Sequence, residues 1–207
     1  MDIKVCGMRD SSNIATLCTI PINYIGFIFY AKSGRFVGED FDTLITRSIP
    51  SHIKKVGVFV NASETYINSK IERYKLDCIQ LHGNESPDFC KTFANKNIEI
   101  IKTFGIDEAF DFDKLLDYEA MCDYFLFDTK TPFHGGTGQK FDWSILQKYK
   151  GSKPFFLSGG ITIDDIDTIK SIEELPVHCI DINSKFEIRQ AFKDIEKVKL
   201  FLSTLNQ

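Results

Sequence analysis

Three side chains able to move protons near neutral pH stand at the ends of apolar runs: Cys6 closes Ile3–Cys6, His82 follows Cys78–Leu81, and Asp128 follows Tyr124–Phe127. A thiol and a carboxyl group facing one pocket can transfer protons in opposite directions within one substrate. Taken singly, each has a plainer reading. A cysteine on a first strand is more often a small buried hydrophobe, and an aspartate at a strand end is often a cap or turn residue. Their joint placement is what favours chemistry. His82 joins them as a substrate contact. Arg35, beyond the second apolar run, carries a fork of donors suited to a carboxylate, and on position alone it reads equally well as a surface arginine. The histidines are scattered, with no HxxxH or CxxC spacing and no Ser-His-Asp arrangement, so a metal centre or a hydrolase triad is not indicated.

Glycines mark a second kind of chemistry. Gly135-Gly136, Gly159-Gly160 and the polar Asn183-Ser184 all lie beyond strand-like runs. Glycine lets backbone amides approach an anion closely, and amides at a helix start point towards it. A single Gly-Gly is more often only a tight turn. Gly159-Gly160 together with Ser184 on the neighbouring unit makes a phosphate site the better reading.

The elements that position these residues follow from the apolar pattern. Eight runs recur along the chain: Ile3–Cys6, Ile25–Tyr30, Val56–Val60, Cys78–Leu81, Ile98–Phe104, Tyr124–Phe127, Pro154–Leu157 and Cys179–Ile182. Most are continuous rather than alternating, as in parallel strands buried on both faces. Helical signals lie between them. Ser86-Pro87 is a cap followed by a first-turn proline, Thr162–Asp165 is a capping box, and Ile195, Val198, Leu202 and Leu205 form the stripe of a closing helix. Eight strand–helix units without a dinucleotide fingerprint predict one (β/α)8 barrel spanning residues 1–207. In that fold the C-terminal strand ends build the site and the loops after strands seven and eight bind phosphate.

The bulk properties agree. The chain has 207 residues and a formal net charge of -4, with no basic block, which argues against nucleic acid or an anionic membrane as partner. No run approaches the length of a membrane span. Six cysteines without paired spacing, several inside apolar runs, predict reduced thiols and a cytoplasmic location.

Across almost its whole length the chain resembles the phosphoribosylanthranilate isomerases. The resemblance rests on Lys4-Val5-Cys6-Gly7, Gly26-Phe27-Ile28-Phe29 with Ser33 and Arg35, Val56–Asn61, and Ile79–Glu85. It continues through Ile101-Lys102, Asp128-Thr129-Lys130, Gly135–Gly138 with Phe141-Asp142-Trp143, Leu157–Gly160 and Asp181–Ser184. It implies an Amadori rearrangement of N-(5'-phosphoribosyl)anthranilate in tryptophan biosynthesis. Asp128 would be the general acid at the ribose ring oxygen and Cys6 the general base at C2. Arg35 would hold the anthranilate carboxylate, and Gly135-Gly136, Gly159-Gly160 and Ser184 the phosphate. The imine formed on ring opening is the electron sink, so neither metal nor organic cofactor is implied. The partner is a small phosphorylated molecule, and the chain is a monomer or homodimer. Burial would keep Asp128 neutral, whereas Cys6 would need a lowered pKa.

Departures from the family pattern carry expectations of their own. Gly34 replaces a proline, which predicts a looser loop at Arg35. Lys185 replaces a glycine, which predicts altered amide geometry at the phosphate. Gln190-Ala191 replaces Pro-Gly. Residues 131–139 are a candidate lid. Two alternatives remain open: a histidine-pathway phosphoribosyl isomerase, against which Cys6 in place of an aspartate argues, and a decayed barrel that binds a phosphosugar without turnover.

Overall fold

The computed structural model of the chain describes residues 1–94, 96–130 and 140–207. Eight parallel strands close into a barrel in chain order: β1 Asp2–Val5, β2 Tyr24–Ile28, β3 Lys54–Phe59, β4 Cys78–Leu81, β5 Glu99–Ile106, β6 Tyr124–Thr129, β7 Phe155–Leu157 and β8 Val177–Ile182. Closure is made by β1 against β8, in register from Asp2↔Cys179 to Val5↔Ile182. Each strand overlaps its predicted run, with ends moved by a few residues.

The barrel separates two apolar layers, which is why the strands read as continuous runs. Tyr24, Val56, Cys78, Ile101, Leu126, Phe156 and Cys179 fill the interior as one cluster. A larger cluster lies between the barrel wall and the outer helices. Alternate residues along each strand serve the two layers.

The outer ring is α1 Ser11–Leu17, α2 Thr43–Arg47, α3 Glu64–Tyr74, α4 Pro87–Lys91, α5 Ile166–Ser171 and α6 Ile195–Leu205. Their starts follow the sequence signals. The Ser86 side chain accepts from Phe89 N with Pro87 in the first turn of α4, and α6 buries Val198, Phe201 and Leu202. The Thr162–Asp165 capping box is present and opens a 3-10 turn, Ile163–Asp165, that runs into α5.

Units five and six differ from the expected α-helices. They carry 3-10 helices instead, Phe112–Tyr118 and Trp143–Lys148. The first is drawn from an Asp- and Phe-rich stretch of low helix propensity. Rings hold it in place: Phe112 packs against Phe110, Phe127 and Tyr149 at centroid distances of 5.0, 6.1 and 6.1 Å. After β8, a 3-10 turn Ser184–Phe186 leads into an unexpected antiparallel hairpin, β9 Glu187–Arg189 with β10 Phe192–Lys193.

Candidate active site

The period of two along a strand brings the chemistry to one end of the barrel. Lys4 on β1 is followed two residues on by Cys6, Gln80 on β4 by His82, Leu126 on β6 by Asp128, and Asp181 on β8 by Asn183. Leu126 belongs to the interior cluster, and Lys4 reaches both Gln80 and Asp181. These rows therefore face inward, and Cys6, His82, Asp128 and Asn183 stand at their C-terminal ends.

Cys6 is buried and its amide is held by Ile182 O at 3.0 Å. Gly7 follows with a left-handed φ of +78°, a conformation open to glycine, and turns the chain away from β1. Burial pushes the Cys6 thiol above its ordinary value. The cations of Lys4 and Lys193 oppose that shift, and the Asp181 carboxylate adds to it. The lowered thiol expected of a resting base is therefore not what this environment produces.

His82 and Asp128 meet across the mouth, with Nε2 3.5 Å from Oδ2. The other carboxylate oxygen, Oδ1, accepts from Thr129 N at 2.8 Å. Asp128 is thus mostly buried, with Thr129 N and His82 Nε2 beside its two carboxyl oxygens. Gly159 packs beside it: a Cβ there would lie 2.5 Å from Thr129 Oγ1 and 3.3 Å from Asp128 Oδ1. Gly159 and Gly160 are both left-handed, at φ +99° and +64°. The Gly-Gly pair is needed both for the turn and for the approach of the β7 loop to Asp128.

Arg35 is anchored rather than loose. Its Nε and Nη2 donate to Glu187 Oε1 and Oε2 at 2.8 and 2.7 Å, a bidentate pair. Its amide donates to Ser33 Oγ. Glu187 also accepts from Lys193 Nζ at 2.7 Å, and Lys193 reaches Asn183 Oδ1 at 2.7 Å. Burial works against the Glu187 carboxylate, but Arg35 and Lys193 outweigh it and hold its pKa below the usual value. The end of the Gln190 side chain lies over Gly34, 2.4 Å from where a Cβ there would stand.

Ser184 starts the 3-10 turn directly after β8 and Asn183. Lys185 is exposed and does not have a left-handed backbone. The left-handed residue of this stretch is Ala191, at φ +64°. Gly135, Gly136 and the candidate lid, residues 131–139, lie outside the described residues.

Sequence reasoning passed over Lys4, Gln80, Glu187 and Lys193. A lysine and a glutamine inside apolar strands, two residues before Cys6 and His82, were the available signal for the first two. Lys4 and Asp181 form a buried ion pair at 2.6 Å. Burial works against the Lys4 ammonium, but Asp181 and Cys6 more than offset it and raise its pKa. Burial raises the Asp181 carboxyl in spite of Lys4.

Known proteins share this fold. The family model described as N-(5'-phosphoribosyl)anthranilate (PRA) isomerase matches residues 3–204. The N-(5'-phosphoribosyl)anthranilate isomerase of Parabacteroides distasonis is 47% identical, covering 99% of this chain and 93% of its own. The phosphoribosyl anthranilate isomerase structure from Thermotoga maritima superposes with a TM-score of 0.88 at 29% identity, covering 100% and 98% of the two chains. A phosphoribosyl anthranilate isomerase solved with reduced 1-(o-carboxyphenylamino)-1-deoxyribulose 5-phosphate superposes at 0.85, with 26% identity and coverage of 100% and 98%. With a family match over nearly its whole length and a closed barrel bearing Cys6, His82 and Asp128 at one end, the chain belongs to the N-(5'-phosphoribosyl)anthranilate isomerase family.

Proposed function

We propose that Cys6 and Asp128 divide the proton transfers of this chain's reaction, the isomerisation of N-(5'-phosphoribosyl)anthranilate in tryptophan biosynthesis. Asp128 protonates the ribose ring oxygen, the C1–O bond breaks, and the anthranilate nitrogen supplies the electrons for a protonated imine. Cys6, as thiolate, removes the proton from C2. The electron pair released flows into the imine to give an enamine, which tautomerises to the 2-ketose. The product is 1-(2-carboxyphenylamino)-1-deoxyribulose 5-phosphate. The substrate carries its own electron sink, so the steps balance without a metal or organic cofactor.

The observation that carries this reading is the placement of Cys6 and Asp128 at the C-terminal ends of inward rows on β1 and β6, with His82 3.5 Å from the acid. Arg35 offers the substrate carboxylate the edge of its guanidinium that Glu187 does not occupy. Gly159-Gly160 and Ser184, together with Gly135-Gly136, take the phosphate. The relative solved with a reduced phosphorylated deoxyribulose supports a phosphorylated small molecule as partner. The enzyme works as one barrel domain over residues 1–207, as a monomer or homodimer in the cytoplasm. Among the described residues no helix is long and apolar enough to cross a membrane, and all six cysteines are free thiols.

The test is conversion of N-(5'-phosphoribosyl)anthranilate by the purified protein, with the product identified. Formation of the 2-ketose is the expected result. Tight binding of the reduced product analogue without turnover would instead support the decayed barrel.

A further inference from the structure

Lys4 and Gln80 take no part in the steps above, yet both are buried inside the barrel, at 0% and 2% exposure. Their hydrogen bonds have a direction. Lys4 Nζ donates to Gln80 Oε1 and to Asp181 Oδ2, both at 2.6 Å. An ammonium has donors and no acceptor, so the carboxamide oxygen must be the end that faces it. The NH2 group then faces the other way, towards His82 Nδ1 at 2.8 Å and Thr103 Oγ1 at 3.2 Å. A ring nitrogen that accepts a hydrogen bond carries no proton. The neutral imidazole is therefore protonated on Nε2, the nitrogen that faces Asp128 Oδ2.

We propose that Gln80, oriented by Lys4, is a positioning residue that holds His82 in its Nε2–H tautomer, so that Asp128 faces a hydrogen-bond donor rather than a lone pair. The inference rests on the reading of Asp128 as the acid. When Asp128 gives its proton to the ring oxygen, the Nε2–H group steadies the carboxylate left behind, and His82 neither gains nor loses a proton. In the other tautomer, Nε2 would present a lone pair to the protonated carboxyl and compete with the ring oxygen for its proton. A carboxamide suits the position because it does not titrate and has a distinct donor end and acceptor end. Lys4 fixes which end is which, and the same ammonium opposes the burial that raises the Cys6 thiol. One buried cation thus acts on both partners of the proton transfer.

Nitrogen NMR of the full-length protein labelled at its four histidines tests the tautomer directly. The His82 ring signals are assigned by their loss in His82→Gln. In the unsubstituted protein the unprotonated, downfield nitrogen is expected to be Nδ1; an unprotonated Nε2 would overturn the proposal. Gln80→Glu keeps the shape and the bond to Lys4 but only accepts towards His82, so it should place a proton on Nδ1. Turnover should then fall by about 10- to 100-fold with little change in KM. Gln80→Met, which removes the donor at similar volume, should lower turnover in the same way. A shifted ring proton with unchanged kcat in either variant would remove the positioning role. The NMR readout needs no substrate. A protein with unprotonated Nδ1 that fails to convert the substrate would sink the assigned reaction and keep the tautomer, and the reverse pair of results would do the opposite.

Discussion

The Cβ that Gly26 lacks would lie 2.7 Å from Cys6 Sγ and 3.0 Å from Cys6 Cα. The second strand thus makes room for the thiol on the first, and the contact with Cα means that a side chain could not be absorbed by rotating the thiol alone. Gly26→Ala should displace Cys6 by a fraction of an ångström to an ångström and lower kcat by about 10- to 100-fold, since misplacement on that scale carries losses of this order. Steady-state kinetics beside a circular dichroism spectrum checks this. A folded variant with unchanged kcat would show that the thiol's position is not critical.

The anchoring of Arg35 leads to an expectation about binding. Glu187 holds two of its nitrogens, so Glu187→Gln should leave the arginine less well aimed and raise KM several-fold, with Arg35→Ala raising it further. The same substitution reports on stability. The pKa of Glu187 is depressed in the folded protein, so its contribution is full above the ordinary glutamate value and is lost as the pH falls through the lower folded value. Thermal unfolding measured through the acid range should therefore lose less stability in Glu187→Gln than in the unsubstituted protein. An equal loss in both would count against the pairing.

Ala191 holds a left-handed backbone, at φ +64°, that glycine adopts freely. The strain for an L-residue is about 1–2 kcal/mol, against an entropic cost of about 0.4–1 kcal/mol for introducing glycine. Ala191→Gly should stabilise the fold by about 0.5–1 kcal/mol in a denaturant titration. Destabilisation would mean that the hairpin relies on the Ala191 methyl for packing.

The pH profile follows from the Cys6 environment. Its base form is the thiolate, and burial raises the thiol above its ordinary value. The active fraction therefore grows as the pH rises, and kcat/KM should climb on the alkaline side of neutrality, with its limb at or above that of an unperturbed thiol near 8.5. In Cys6→Ala that limb should vanish. A limb well below the ordinary thiol value would show that Lys4 and Lys193 win over burial in the free enzyme.

The barrel was legible because interior and outer layers both bury strand residues, so the runs at Ile25–Tyr30 and Tyr124–Phe127 read as continuous. The strand ends were legible for the same reason: Cys6, His82 and Asp128 interrupt apolar runs with groups that titrate. The hairpin at Glu187–Arg189 was hidden because its strands are two and three residues long and half polar. Glu187 could not be assigned to Arg35 because 152 residues separate them. Lys4 and Gln80 were visible as polar intrusions, but their bond joins positions 76 apart and exists only in the closed barrel. The 3-10 helices of units five and six depend on ring packing between segments, such as Phe112 with Phe127, which no local pattern encodes.

The most direct test of the division of labour compares Cys6→Ala with the unsubstituted enzyme in two assays: conversion of N-(5'-phosphoribosyl)anthranilate, and binding of the reduced deoxyribulose phosphate analogue. Turnover is expected to fall by about 10²-fold or more with analogue affinity preserved, because the base is lost and the pocket is not. Turnover close to that of the unsubstituted enzyme would contradict the assignment of Cys6 as the base.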